Sequence, residues 1–218
     1  MQDDDIHAMV QIVEEEVAAF PITTVDDIAK RSHDPYKVLI STIISSRTKD
    51  EVTAAASEAL FARAETAEQL AALTEEEIRE LIYPAGFYKT KAGHLKETGR
   101  IIHEELDDQV PDTIKELVKL PGVGRKTANL VVTLGFNKPG ICVDTHVHRI
   151  FNRWGYISTK TPKKTEMALR DKLPQQYWIP INNLLVSYGQ HVCKPISPFC
   201  SDCRLSYMCE QRDVDQSR

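Results

Sequence analysis

The chain has 218 residues, 27% of them charged and 42% hydrophobic, with a formal net charge of -5 at pH 7. That length suits one large domain or two small ones, and either can bury a core without disulfides. No apolar run is long enough to span a bilayer, and the acidic start Met1-Gln2-Asp3-Asp4-Asp5 is unlike a secretory or organelle-targeting segment, so an intracellular protein of the cytoplasm or nucleoid is expected.

Helical periodicity dominates the pattern, and the expected fold class is all-α. His7 to Phe20 predicts a helix with Met9, Val10, Val13, Val17 and Phe20 towards a core. Asp34-Pro35 supplies an N-cap with proline at the first helical position, and Val38 to Ser45 is apolar enough for a buried helix. Shorter helices follow at Asp50 to Phe61, Ala67 to Ala72 and Thr74 to Tyr83, the last opened by a capping box, Thr74-Glu75-Glu76-Glu77. After a turn at Pro84-Ala85-Gly86, a longer helix is expected from Thr90 to Leu106. Ile114 to Lys119 then forms a short helix that leads through Pro121-Gly122-Val123-Gly124 into another, Arg125 to Leu134. Asn137-Lys138-Pro139-Gly140 is a breaker cluster, and Asp144 is placed to cap a helix that runs to Trp154. Lys163 to Lys172 and Pro180 to Val192 complete the helices, with no internal repeat.

The stretch Leu120-Pro121-Gly122-Val123-Gly124-Arg125-Lys126-Thr127-Ala128-Asn129 reads as a glycine hairpin opening into a helix. Gly122 and Gly124 can take backbone angles closed to other residues, so that successive N–H groups converge on a phosphate at the positive end of a helix. Lys126 then places an amine just inside that helix. The charge distribution agrees with a phosphate-bearing partner. Residues 1–114 hold 11 Lys and Arg against 24 Asp and Glu, residues 115–172 hold 12 against 4, and residues 173–218 hold 4 of each. The basic excess therefore lies on the hairpin and the segment after it.

Four of the five cysteines, Cys193, Cys200, Cys203 and Cys209, follow the pattern C-x6-C-x2-C-x5-C. Clustered thiols in an intracellular chain point to a metal centre rather than to disulfides. Structural zinc usually pairs two short chelating steps, and only Cys200-x2-Cys203 is short here. The wide steps favour a bulky [4Fe–4S] cubane over zinc, although zinc stays open. Cys142, in Gly140-Ile141-Cys142-Val143, is expected to be a packing thiol. His146 and His148 lie beside a helix start without further ligands at metal spacing, so capping, packing or phosphate contact is expected of them. Tyr177, Trp178 and Tyr188 are expected to pack.

Leu120 to Asn129, Val143-Asp144-Thr145-His146 and the four-cysteine spacing closely resemble the endonuclease III family of helix-hairpin-helix DNA glycosylases. Leu39 to Asp50 and Gly86-Phe87-Tyr88-Lys89-Thr90-Lys91-Ala92 extend the resemblance over nearly the whole chain. It implies a two-lobed helical fold with DNA in the cleft. One lobe would be a helical barrel over residues 26–136, with the helix-hairpin-helix at about residues 113–134. The other would join residues 1–25 to residues 137–218, with a [4Fe–4S] cluster loop at residues 193–209.

The implied activity is base excision on oxidised pyrimidines in double-stranded DNA by a monomer, followed by cleavage at the abasic site. Lys126 would attack the sugar C1′, with Asp144 assisting its deprotonation and stabilising charge on the sugar. The imine that forms would make the C2′ proton acidic enough for β-elimination of the 3′ phosphate. The damaged nucleotide must leave the stack. Phe87 would then wedge into the gap, with Arg47 approaching from the other side, where many relatives carry glutamine. Gly122, Gly124, Arg125 and His146 would complete the DNA contacts. Two alternatives stand beside this one: a monofunctional mismatch glycosylase that uses water, and a non-enzymatic iron–sulfur DNA-binding protein.

Overall fold

In the computed structural model the described residues are 5–218, and Met1 to Asp4 of the acidic start lie outside them. Every regular element among the described residues is helical. Contacts divide the chain into two units, Thr23–Gly140 and a second made of the residues up to Ile22 together with Ile141–Arg218. None of the helices is long and apolar enough to cross a membrane.

The Thr23–Gly140 unit is built around α3 (Pro35–Ser45). Every residue from Val38 to Ile44 is buried, so this helix is enclosed on all sides rather than amphipathic. Asp34 caps it, accepting from the Tyr36 N–H at 2.9 Å, with Pro35 in the first turn as the sequence predicts. Around it lie α2 (Thr24–Ser32), α4 (Asp50–Phe61), α7 (Tyr88–Glu105), α9 (Arg125–Leu130) and a π-helical turn at Val131–Gly135. The outer helices are α5 (Ala67–Ala72), α6 (Glu75–Ile82) and α8 (Ile114–Leu117). The capping box of α6 is complete, with the Glu77 N–H donating to Thr74 Oγ1 at 3.2 Å and the Thr74 N–H to Glu77 Oε2 at 2.7 Å.

Two features of this unit differ from the sequence expectation. α2 has no counterpart there, because it offers only Val25 and Ala29 as buried apolar residues, too few for a periodic signal. Its ends nevertheless carry ordinary signals: the Thr23 cap, Asp26 and Asp27 in the first turn, Lys30 and Arg31 in the last. The second difference is the π-helical turn, which replaces the end of an α-helix expected to run to Leu134. There the Thr133 hydroxyl donates to the carbonyls of Asn129 at 3.0 Å and Leu130 at 3.1 Å, competing with backbone donors for them.

In the second unit, α1 (Asp5–Val17) presents Ile6, Met9, Val10 and Val13 at helical spacing to a core shared with α10 (Thr145–Trp154), α11 (Pro162–Lys172) and α12 (Ile181–His191). α1 stops before Pro21, so Phe20, expected on its core face, lies beyond the helix and stacks on His191 with ring centroids 3.9 Å apart. Beyond His191 the chain forms turns with no further helix, and Pro198 and Leu205 are its buried apolar residues.

Candidate functional site

The hairpin before α9 is held by alternate burial. Leu117, Leu120, Val123 and Ala128 are buried, whereas Gly122, Gly124, Arg125 and Lys126 are exposed. The apolar residues thus anchor the turn in the core and present the polar backbone and the lysine outward. The Val123 N–H donates to the Leu120 carbonyl at 3.1 Å, and the Ala128 N–H to that of Gly124 at 2.9 Å. Asn129 closes the far side, its Nδ2 donating to the Arg125 carbonyl at 3.1 Å.

The two glycines serve different ends. Gly122 has φ +74° and a Cβ there would stand 2.7 Å from His94 Nδ1, so both backbone and space require glycine. Gly124, expected to need a special backbone angle, has φ -89° and ψ 175°, which any residue can adopt. A Cβ there would meet nothing within 4 Å. What glycine provides at that position is bare backbone at the start of a helix that has no side-chain cap, where first-turn N–H groups lack intrahelical partners.

Asp144 is the N-cap of α10, its Oδ1 accepting from the N–H groups of His146 and Val147, both at 2.9 Å. Ile141, Cys142 and Val143 before it are buried, which fixes the carboxylate at a half-buried position. His146 Nδ1 lies 3.1 Å from Arg149 Nη2, and a Cβ on Gly189 would stand 2.3 Å from the same histidine nitrogen. His148 bonds the Thr165 hydroxyl at 2.7 Å, and burial lowers its pKa. Both histidines are thus engaged in packing and hydrogen bonding around α10.

Arg47 and Phe87 both take left-handed backbone, φ +53° and +58°, and both are exposed. The Arg47 guanidinium lies 5.4 Å from the Phe87 ring centroid, a cation–π contact between segments forty residues apart in sequence. Phe87 is 62% exposed, which excludes the core-packing role open to an aromatic beside a turn. A Cβ at Gly86 would stand 2.1 Å from the Arg47 carbonyl oxygen, so the two loops touch backbone to backbone.

The four cysteines Cys193, Cys200, Cys203 and Cys209 line one small pocket, together with Trp154 and Phe199 among others. Among the described residues no three His, Cys, Asp or Glu side chains converge closely enough to hold a single metal ion. Four thiols lining one pocket with no carboxylate or histidine beside them are the soft donor set that suits zinc or an iron–sulfur cluster. Burial pushes the Cys209 thiol up to about 11 and raises that of Cys203, the condition of buried thiols before a cation draws off their protons.

Three groups around this pocket carry no sequence signal. Arg153 is buried, with Nη1 donating to the Lys194 carbonyl at 2.6 Å and lying 3.4 Å from Cys193 Sγ. Arg149 donates to the Cys193 carbonyl at 2.7 Å. Tyr188 packs in the core as expected, yet its hydroxyl also lies 2.9 Å from Cys203 Sγ. The two arginines lie one turn apart on α10, and only the folded tail reveals what they bind.

This fold and the hairpin define a class. Residues 40–175 match the model of the HhH-GPD superfamily base excision DNA repair protein. Endonuclease III of Thermotoga maritima is 49% identical over 81% of this chain and 83% of its own length. Endonuclease III-like protein 1 of Gallus gallus is 42% identical over 80% of this chain and 63% of its longer sequence. A structure of a trapped endonuclease III–DNA covalent intermediate superposes with a TM-score of 0.85 at 27% identity, covering 97% of each chain. The chain belongs to the endonuclease III family of the HhH-GPD superfamily.

Proposed function

We propose that this chain is a base-excision-repair DNA glycosylase with abasic-site lyase activity, in which Lys126 is the nucleophile, Asp144 its acid–base partner, and oxidised pyrimidines the substrates. One observation carries the residue assignment: the core-anchored hairpin presents an exposed amine directly behind exposed, bare helix-start backbone. The backbone N–H groups of Gly124 and Arg125 grip a DNA phosphate, aided by the basic excess of residues 115–172. That grip fixes the sugar for Lys126, and a fixed geometry replaces a costly encounter.

The chemistry follows from an amine and a carboxylate. The Lys126 nitrogen bonds to C1′ as the bond from C1′ to the base breaks, and the departing base takes up a proton. Asp144 accepts a proton from the nitrogen and stabilises positive charge on the sugar; its Oδ1 is engaged in capping, so Oδ2 is the oxygen for this work. Ring opening gives an imine. Loss of a C2′ proton sends its electron pair towards the protonated imine, and the enamine so formed returns it to make a C2′–C3′ double bond as the C3′–O bond breaks and the 3′ phosphate leaves with that bond's pair. Arg47 and Phe87 enter the duplex where the flipped nucleotide leaves its gap, and His146 adds a DNA contact.

The residues up to about 25 and from about 137 onward constitute an iron–sulfur domain, and residues 26–136 a helical barrel. Cys193, Cys200, Cys203 and Cys209 hold a [4Fe–4S] cluster. When bound it supplies four iron–thiolate bonds that close the tail around the pocket.

Borohydride reduction tests the nucleophile. With DNA bearing an abasic site, a covalent adduct is expected for the wild type and is lost in Lys126→Ala, with strand cleavage falling at least about 1,000-fold, a loss of the size seen when a catalytic nucleophile is removed. Cleavage that persists in Lys126→Ala overturns the assignment in favour of another nucleophile.

A further inference from the structure

Lys91 is a buried lysine with no part in the chemistry described above. It lies in the first turn of α7, is 6% exposed, and directs its Nζ away from solvent. That nitrogen donates to the Ile44 carbonyl at 2.6 Å, the Ser46 carbonyl at 2.6 Å and the Thr48 hydroxyl at 2.9 Å. An ammonium carries three donors, and each of the three has an acceptor. Ile44 lies in the last turn of α3, where carbonyls lack intrahelical partners and the helix dipole leaves partial negative charge. Lys91 therefore caps the end of α3 from another helix. Its burial is costly, as the lowering of its pKa to about 8 attests, so three well-made bonds are needed to offset it.

What those bonds fix is the turn Ser46-Arg47-Thr48. Thr48 Oγ1, which accepts from Lys91, also accepts from the Gly86 N–H at 3.0 Å, and Gly86 adjoins Phe87. One hydroxyl thus joins the lysine to both loops. The same turn and loop carry two non-glycine residues at positive φ, Arg47 and Phe87. Such backbone costs on the order of 1 kcal/mol or more per residue and persists only where the surroundings over-determine it. Lys91, Thr48 and Gly86 are those surroundings.

We infer that Lys91 is a positioning residue that holds the Arg47–Phe87 pair in the one arrangement in which both side chains enter duplex DNA together. The inference rests on the base-excision reading of the same site. On this account Lys91 touches neither DNA nor the reacting sugar. It acts on how the duplex is opened, not on how the bond is broken, and so its removal affects distorted duplex more than a strand that needs no opening.

The test uses the full-length protein and a duplex with a stable abasic analogue opposite 2-aminopurine, a base that brightens when it is unstacked. Binding of wild type is expected to raise the fluorescence, and Lys91→Met to lose most of that rise. Excision of thymine glycol from duplex is expected to fall about 10- to 100-fold, the range for misplaced positioning groups, with a much smaller fall for cleavage of a single-stranded abasic site. Thr48→Val removes one of the three acceptors and the tie to Gly86 while leaving the half-buried site its shape, and it should shift both readouts the same way by less. If Lys91→Met does not fold, the Thr48→Val comparison decides. Wild-type fluorescence and excision in both variants overturn the role of Lys91 while leaving the base-excision reading intact. A wild type that neither excises nor forms the borohydride adduct overturns that reading itself.

Discussion

The Thr23–Gly140 unit closes on hydrocarbon, whereas the tail of the other unit closes on sulfur. In the first, Val38, Leu39, Ile40, Ile44, Leu60, Leu70, Ile78 and Ile82 are each 2% exposed or less, and helices supply nearly all the walls. In the second, residues 193–218 have no helix, buried apolar residues only at Pro198 and Leu205, and four thiols lining a pocket. A helical core of that size buries enough apolar surface to hold itself, while a short irregular loop does not and needs a covalent or metal tie. Both units have buried apolar cores; the hairpin with Lys126 stands on the first, while the cysteine tail of the second would draw its closure from the proposed cluster.

The largest effect expected from this contrast comes from Cys203→Ser. Broad visible absorbance is lost, and amide hydrogens of residues 193–218 exchange far faster, while those of α3 stay protected. Equal loss of protection in both places would show that the units do not differ in this way. A smaller effect is expected of Leu39→Ala, which empties a fully buried position in the hydrocarbon core. It should cost about 2–5 kcal/mol in urea unfolding with the visible spectrum under native conditions unchanged, and a bleached spectrum would break the contrast from the other side. Thr74→Ala sharpens it at the smallest scale. It removes one capping-box hydroxyl from the outer helix α6 and should cost about 1 kcal/mol, read as a shift in the urea midpoint without loss of lyase activity.

Much of the architecture is visible in sequence where local rules suffice. The bounds of α4 and α5 coincide with the residues expected, and the caps at Asp34, Thr74 and Asp144 are made by the side chains that the capping rules select. α2 escaped because its two buried residues leave no periodicity, although Thr23 and the charges at its ends marked it. The π-helical turn escaped because it depends on which carbonyls the Thr133 hydroxyl engages, a competition that the helix pattern does not encode. Gly124 is expected to need a special backbone angle, yet its φ of -89° is open to any residue and a Cβ there would meet nothing within 4 Å; φ is a property of the folded backbone.

At the candidate site, the residue types were legible and their company was not. Lys126, Asp144 and the four cysteines stand out because their spacing is local and their chemistry uncommon in that pattern. Nothing local in the sequence sets Lys91 or Arg153 apart as a buried charge, and both are buried. Their partners lie about forty residues away, Ile44, Ser46 and Thr48 for the lysine, Cys193 and Lys194 for the arginine.

Local sequence rules suffice for the all-helical class, the capped starts of α3, α6 and α10, the glycine hairpin with its amine and the four-thiol set, because capping, periodicity and motif spacing act over a few residues. Only the packed structure decides which charges are buried, that Arg47 and Phe87 meet, and that the four thiols line one pocket. Those depend on segments far apart in the chain being packed together, and packing is settled by the shape of the whole core rather than by any one stretch of it.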